Sequence, residues 1–192
     1  MTPDLYGTPR SHFTRIVRIL CLELDLEVRE IDVGNVGGTE LFAGNPLMAV
    51  PVLVDAQNTI FDSHDICRYL VQRQGRDPLG VDGLDWAGHN MITVIRGVMT
   101  AEVRLILAAR CGMDTTVGVF VKAREVLRSG LAWIDARIEE PVGLTYAGVC
   151  TVAMWDHLVL YELAEANDAP IIARLATRLD DFASVAQTKP VR

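Results

Sequence analysis

Val50-Pro51-Val52-Leu53-Val54, followed at once by Thr59-Ile60-Phe61, is the stretch whose reading decides the fold. Two short runs rich in β-branched and aromatic residues, joined by Asp55-Ala56-Gln57-Asn58, predict an antiparallel hairpin. A proline in the first run is out of place in a strand interior, because it lacks the N–H that a ladder needs. A cis Val50–Pro51 peptide turning the chain at the start of the strand removes the conflict. Just downstream, Ile66, Tyr69 and Leu70 mark a helix.

Working upstream, Leu5-Tyr6-Gly7 reads as a short strand, ended by the turn set Gly7-Thr8-Pro9. Phe13, Ile16, Val17, Leu20 and Leu24 then recur at helical spacing, with Arg15 and Arg18 off that apolar stripe. A second strand is expected over Val28–Val33, a loop over Gly34–Gly38, and a short helix to Ala43 that stops before Asn45-Pro46. The order is β-α-β, a short helix, then β-β-α. A β-α-β unit is parallel with a right-handed crossover, whereas a hairpin is antiparallel. The expected product is a mixed four-stranded sheet with helices on its faces.

Beyond the segment Gln74–Gly80 the strand signal stops. Met91, Ile92, Ile95, Val98, Met99, Val103, Ile106 and Leu107 keep one helical face. Val119, Phe120, Ala123, Val126, Leu127, Leu131, Ile134 and Ile138 keep another before Pro141. Thr151 is read as opening a third helix, through Trp155, Leu158 and Val159, and Pro170 a fourth, through Ile171, Leu175, Leu179 and Phe182. The boundaries that follow are 1–75 for an α/β domain, 76–83 for a linker and 84–192 for an all-helical domain.

Composition narrows the function classes. The chain has 192 residues, 50% of them hydrophobic, and a net charge of −7. That apolar content supports a folded core, and the acidic balance argues against nucleic acid or an anionic membrane as a partner. No apolar stretch reaches the roughly 18 residues of a spanning helix. The polar start Met1-Thr-Pro-Asp4 does not read as an export signal, so a cytoplasmic location is expected. Cys21, Cys67, Cys111 and Cys150 are scattered without Cys-x-x-Cys spacing, which predicts packed free thiols and no metal.

Read in order, Leu5-Tyr-Gly-Thr-Pro-Arg-Ser11, Arg15-Ile-Val-Arg18-Ile, Asn45-Pro-Leu-Met-Ala-Val50-Pro51, Phe61-Asp62-Ser63-His-Asp-Ile66 and the closing Phe182–Pro190 resemble the cytosolic glutathione S-transferase family. The likeness runs over essentially the full chain and is nearest to bacterial members with a serine-type active site. It implies a thioredoxin-like N-terminal domain plus an all-α C-terminal bundle. The activity it implies is attack of the glutathione thiolate on a hydrophobic electrophile, in a cytoplasmic detoxification enzyme that works as a homodimer. Glutathione is then the co-substrate.

The resemblance gives residues their expected roles. Ser11 stands at a helix start, where it either caps the helix or also donates to and stabilises the thiolate. Tyr6, inside the first strand, is read as packing. Val50 and Pro51 would present backbone to the cysteinyl part of glutathione as an added strand does. Ser63 and the helix N-terminus suit its γ-glutamyl carboxylate, and Asp62 its ammonium group. Pro9, Arg10, His12, Met99 and Val103 are candidates for the second-substrate pocket.

Three departures stand out. Ala49 occupies the place where many relatives carry a base, and Asp62 is one methylene shorter than the common Glu. In the helical half, the family's capping motif pairs a Ser or Thr with an Asp three residues on, and Met154 stands three residues after Thr151. Two other readings therefore accompany the transferase: a non-catalytic interaction module, and a glutathione-dependent isomerase or dehalogenase. Thiol–disulfide chemistry would favour a cysteine at position 11.

Overall fold

The computed structural model describes residues 2–34, 38–56 and 58–191 and divides into two units. The first comprises residues 1–83 together with 182–191; the second comprises 84–181.

In the first unit, strand β1 (Asp4–Gly7) leads into helix α1 (His12–Glu23) and strand β2 (Arg29–Asp32). A 3₁₀ turn at Thr39–Phe42 is followed by the hairpin of β3 (Val52–Asp55) and β4 (Asn58–Phe61), then by helix α2 (Ser63–Gln74). The sheet order is β2-β1-β3-β4, with β1 parallel to β2 and antiparallel to β3. This is the mixed thioredoxin-like sheet expected from the sequence. The Val50–Pro51 peptide is cis, and Pro51 sits just outside β3 rather than within it. Residues 35–37 of the expected Gly34–Gly38 loop, and Gln57 of the hairpin turn, lie outside the described residues.

Leu5 and Leu53 of the sheet, Ile16, Val17 and Leu20 of α1, and Ile66 and Leu70 of α2 are all buried. The Asp55 carboxylate, itself buried, accepts the Tyr69 hydroxyl at 2.7 Å and pairs with Arg73 Nε at 3.0 Å. These bonds tie α2 to the end of β3, and the hydrogen bond to Asp55 raises the Tyr69 phenol above its ordinary value.

The short final helix α7 (Ala183–Gln187) packs on α1. Arg15, placed off the apolar stripe by its charge, is only 2% exposed. Its guanidinium reaches into this closing segment rather than into solvent.

The second unit contains α3 (Trp86–Arg110), α4 (Val119–Asp135), α5 (Tyr146–Leu160) and α6 (Pro170–Leu179). Helix α3 packs on α4 and α5, and α6 packs on both α5 and α4. Gly130 lets α4 lie close to α3, since a Cβ there would run into Val98 Cγ2. Asp135, the last residue of α4, caps another helix. Its Oδ1 accepts the N–H groups of Ile171 and Ile172 at 2.8 Å each, serving two of the amides that α6 leaves open at its start.

Two expectations change here. Helix α5 begins at Tyr146, and Thr145 is its cap, accepting the Gly148 N–H at 3.1 Å. Thr151 is therefore a fully buried interior residue, and the place three residues after the capping threonine belongs to Gly148, not Met154. Cys111, expected to pack in the core, is exposed just past the end of α3, while Cys21, Cys67 and Cys150 are buried. Among the described residues no helix is long and apolar enough to cross a membrane.

Candidate functional site

Strand register decides which loops meet. Gly7 is level with Asp32, Tyr6 with Val52, and Val52 with Phe61. The end of β1, the start of β3 and the end of β4 therefore lie at one end of the strands. Ser11 follows β1, Val50 and Pro51 precede β3, and Asp62 and Ser63 follow β4. The topology thus brings these five expected glutathione contacts to the same end of the first unit.

Ser11 caps α1, with Oγ accepting the Thr14 N–H at 3.1 Å. No acidic residue occupies the first turn of α1, so the positive end of its dipole is not offset locally. The approach of β1 to α1 is tight: a Cβ at Gly7 would run into the Thr14 side chain.

The second helix start differs from expectation. Its cap is Asp62, whose Oδ1 accepts the His64 N–H at 2.9 Å, so Ser63 is the first helical residue and its side chain is buried. Asp62 holds φ 69° and ψ 135°, a backbone region that favours glycine. Such a conformation costs ~1–3 kcal/mol in a non-glycine residue and persists where surrounding structure imposes it. Here the cap bond on one side and the end of β4 on the other supply that constraint.

The loop before Val50 is shaped by Asn45, which the sequence reading passed over as part of a turn signal. Its buried side chain donates from Nδ2 to Ala49 O at 2.9 Å and accepts the Leu47 N–H at Oδ1 at 3.0 Å. Ala49 is exposed and offers no charge, while Leu47 and Met48 project from the same loop.

Of the expected pocket residues, Pro9 and Arg10 are exposed in the turn after β1, and His12 is buried at the start of α1. Met99 and Val103 belong to α3 in the second unit, where Met99 is fully buried and Val103 partly exposed.

No curated protein sequence matches the chain. Residues 5–78 match the family model described as glutathione S-transferase, N-terminal domain. Among solved structures, a glutathione transferase family member from Pseudomonas fluorescens Pf-5 with bound glutathione is similar with a TM-score of 0.86 at 20% identity, covering 100% of both chains. A glutathione S-transferase from Methylobacillus flagellatus KT with glutathione bound gives 0.84 at 23% identity, over 99% of this chain and 100% of that one. A maleylacetoacetate isomerase from Methylobacterium extorquens AM1, with malonate and glutathione bound, gives 0.73 at 21%, over 98% and 97%. Residues 5–78 thus carry the N-terminal-domain signature of the glutathione S-transferases, and the chain has the thioredoxin-like sheet with a helical region that those structures share.

Proposed function

We propose that this protein is a glutathione transferase in which Ser11 stabilises the glutathione thiolate for attack on a hydrophobic electrophile. The observation that carries the reading is the strand register, which gathers Ser11, Val50, Pro51, Asp62 and Ser63 at one end of the strands, beside two helix starts. Relatives of the same fold with glutathione bound support it.

The energetics are adequate. A free thiol titrates near pH ~8.5, and making thiolate dominant at neutral pH takes a shift of about 2 units, or ~2.7 kcal/mol. One hydrogen bond to a charged acceptor contributes ~1.5–3 kcal/mol, and the positive end of α1 adds to it. Around the rest of the tripeptide, the Val50 backbone, just before β3, pairs with the cysteinyl unit as with an added strand. The Ser63 hydroxyl and the α2 amides face the γ-glutamyl carboxylate, with Asp62 toward its ammonium group. Pro9, Arg10, His12, Met99 and Val103 are proposed for the electrophile's side. The working state is a cytoplasmic homodimer, which the exposed Trp86 and Leu107 of α3 favour.

Calorimetric titration with reduced glutathione at pH 7 tests the reading. Saturable binding followed by conjugation in an electrophile screen is the expected result. Absence of heat and of thermal stabilisation up to ~10 mM ligand overturns it. A non-catalytic module, favoured by the uncharged Ala49, would then take its place. Binding together with isomerisation of an unsaturated diacid, and no conjugation, would favour an isomerase, in line with the likeness to the Methylobacterium enzyme.

A further inference from the structure

The last residues described return to the first unit, and their contacts fall on the helix that carries Ser11. Arg15 sits one turn into α1, with its own N–H donating to Ser11 O at 2.9 Å. Its Nε donates to Thr188 Oγ1 at 3.3 Å and its Nη2 to Val185 O at 3.2 Å. The Thr188 hydroxyl also lies 2.9 Å from Ser184 O and 3.1 Å from Val185 O, so this acceptor is itself held by the turn it closes. At the far end of α1, Ser184 Oγ donates to Glu23 Oε1 at 2.5 Å. Arg15, Thr188, Ser184 and Val185 are all buried.

Resting on the transferase reading above, we infer that Phe182–Val191 is a working part of the glutathione site and that Arg15 is the positioning residue through which it acts. Apolar packing resists a shift of the helix through shape alone, whereas a buried polar network with every member satisfied adds directional bonds that rigidify one arrangement. A helix gripped near both ends by such bonds has a single register. The planar guanidinium fork suits this task, because two of its N–H groups reach two acceptors at fixed angles, which an ammonium group cannot reproduce. Burying a guanidinium is unfavourable unless it is hydrogen-bonded, so an apolar residue would satisfy packing alone. The register of α1 determines where Ser11 Oγ stands relative to Val50 and Ser63, and misplacing a reacting group by an ångström costs as much as about a hundredfold in rate.

The test compares wild type with Thr188→Val, Thr188→Ser, Arg15→Lys and, as a control, Arg18→Gln on the same helix. Each is titrated with reduced glutathione and melted. The ionisation of the bound thiol is followed by far-ultraviolet thiolate absorbance against pH. Thr188→Val and Arg15→Lys are expected to weaken glutathione binding at least about fivefold and to raise the pH at which the bound thiol ionises, while Thr188→Ser and Arg18→Gln stay near wild type. Wild-type affinity and pH midpoint in both Thr188→Val and Arg15→Lys overturn the inference while leaving the transferase reading intact. A loss that tracks only the unfolded fraction, with an unmoved pH midpoint, reduces the segment to a structural role and overturns it as well. Absence of glutathione binding by the wild type removes the transferase reading and this inference with it. Should Arg15→Lys fail to fold, the Thr188 pair decides the matter.

Discussion

The Ser11 hydroxyl accepts the Thr14 N–H at 3.1 Å, and that bond occupies only a lone pair of the oxygen. Capping and thiolate stabilisation are therefore compatible uses of one group, since the hydroxyl proton stays available to a second acceptor.

This relationship separates two variants. Ser11→Asn keeps a good cap but loses the hydroxyl, whereas Ser11→Ala loses both. Both are expected to lower the initial rate of conjugation at least about tenfold, and only Ser11→Ala should also lose ~1 kcal/mol of stability. Initial rates with a chromogenic electrophile, paired with denaturant unfolding, check this. Unchanged turnover in Ser11→Asn would sink the assignment.

Burial, with Glu30 adding to it, pushes the Cys21 thiol from its ordinary 9.0 up to about 12. Between those two values the folded state keeps a proton that the unfolded chain releases. The associated stability is therefore complete below pH 9 and is lost as pH rises toward 12. Denaturant midpoints across this range should fall more steeply for wild type than for Cys21→Ala, by as much as ~1.4 kcal/mol per pH unit. Parallel slopes would contradict the assignment of this pH dependence to Cys21.

Gly130→Ala is expected to destabilise by ~1–3 kcal/mol, because the added methyl meets Val98 and α4 cannot back away without opening the contact with α3. Thermal unfolding of the variant measures it. A double variant with Val98→Ala should recover part of the loss.

Asp135→Ala removes the acceptor shared by Ile171 and Ile172 and leaves two helix-start amides without it. A loss of ~1–2 kcal/mol is expected, with Asp135→Asn milder because its amide oxygen still accepts. Protection of the Ile171 and Ile172 amides from hydrogen exchange should fall in Asp135→Ala before that of α3.

Local signals carried the first unit well. The β-branched-rich run Val52–Val54, the helical stripe from Phe13 to Leu24 and the turn residues between them left little freedom in element type. With the elements in order, handedness rules gave the mixed sheet. The start of α5 was harder to read because that helix is buried almost all round, so no polar face marks its first turn, and the sequence reading opens it at Thr151, six residues after the actual cap Thr145. Arg15 was misread for another reason. Its partners, Val185 and Thr188, lie at the far end of the chain, and a charged residue is normally taken as solvent-facing until such a partner is seen. Within the candidate site the residue types were legible, but Asp62 as the cap and Asn45 as the organiser of its loop depend on backbone geometry that spacing does not encode.

The first unit is assembled from two separated pieces of chain, whereas residues 84–181 form one continuous piece. During synthesis the helical residues leave the ribosome with the other helices of their own unit at hand and can fold as they emerge. The sheet and α1, although made first, must wait through that whole stretch for Val185 and Thr188. Until then the Arg15 guanidinium lacks two of its native acceptors, so the half of the molecule that is translated first is the last to be completed.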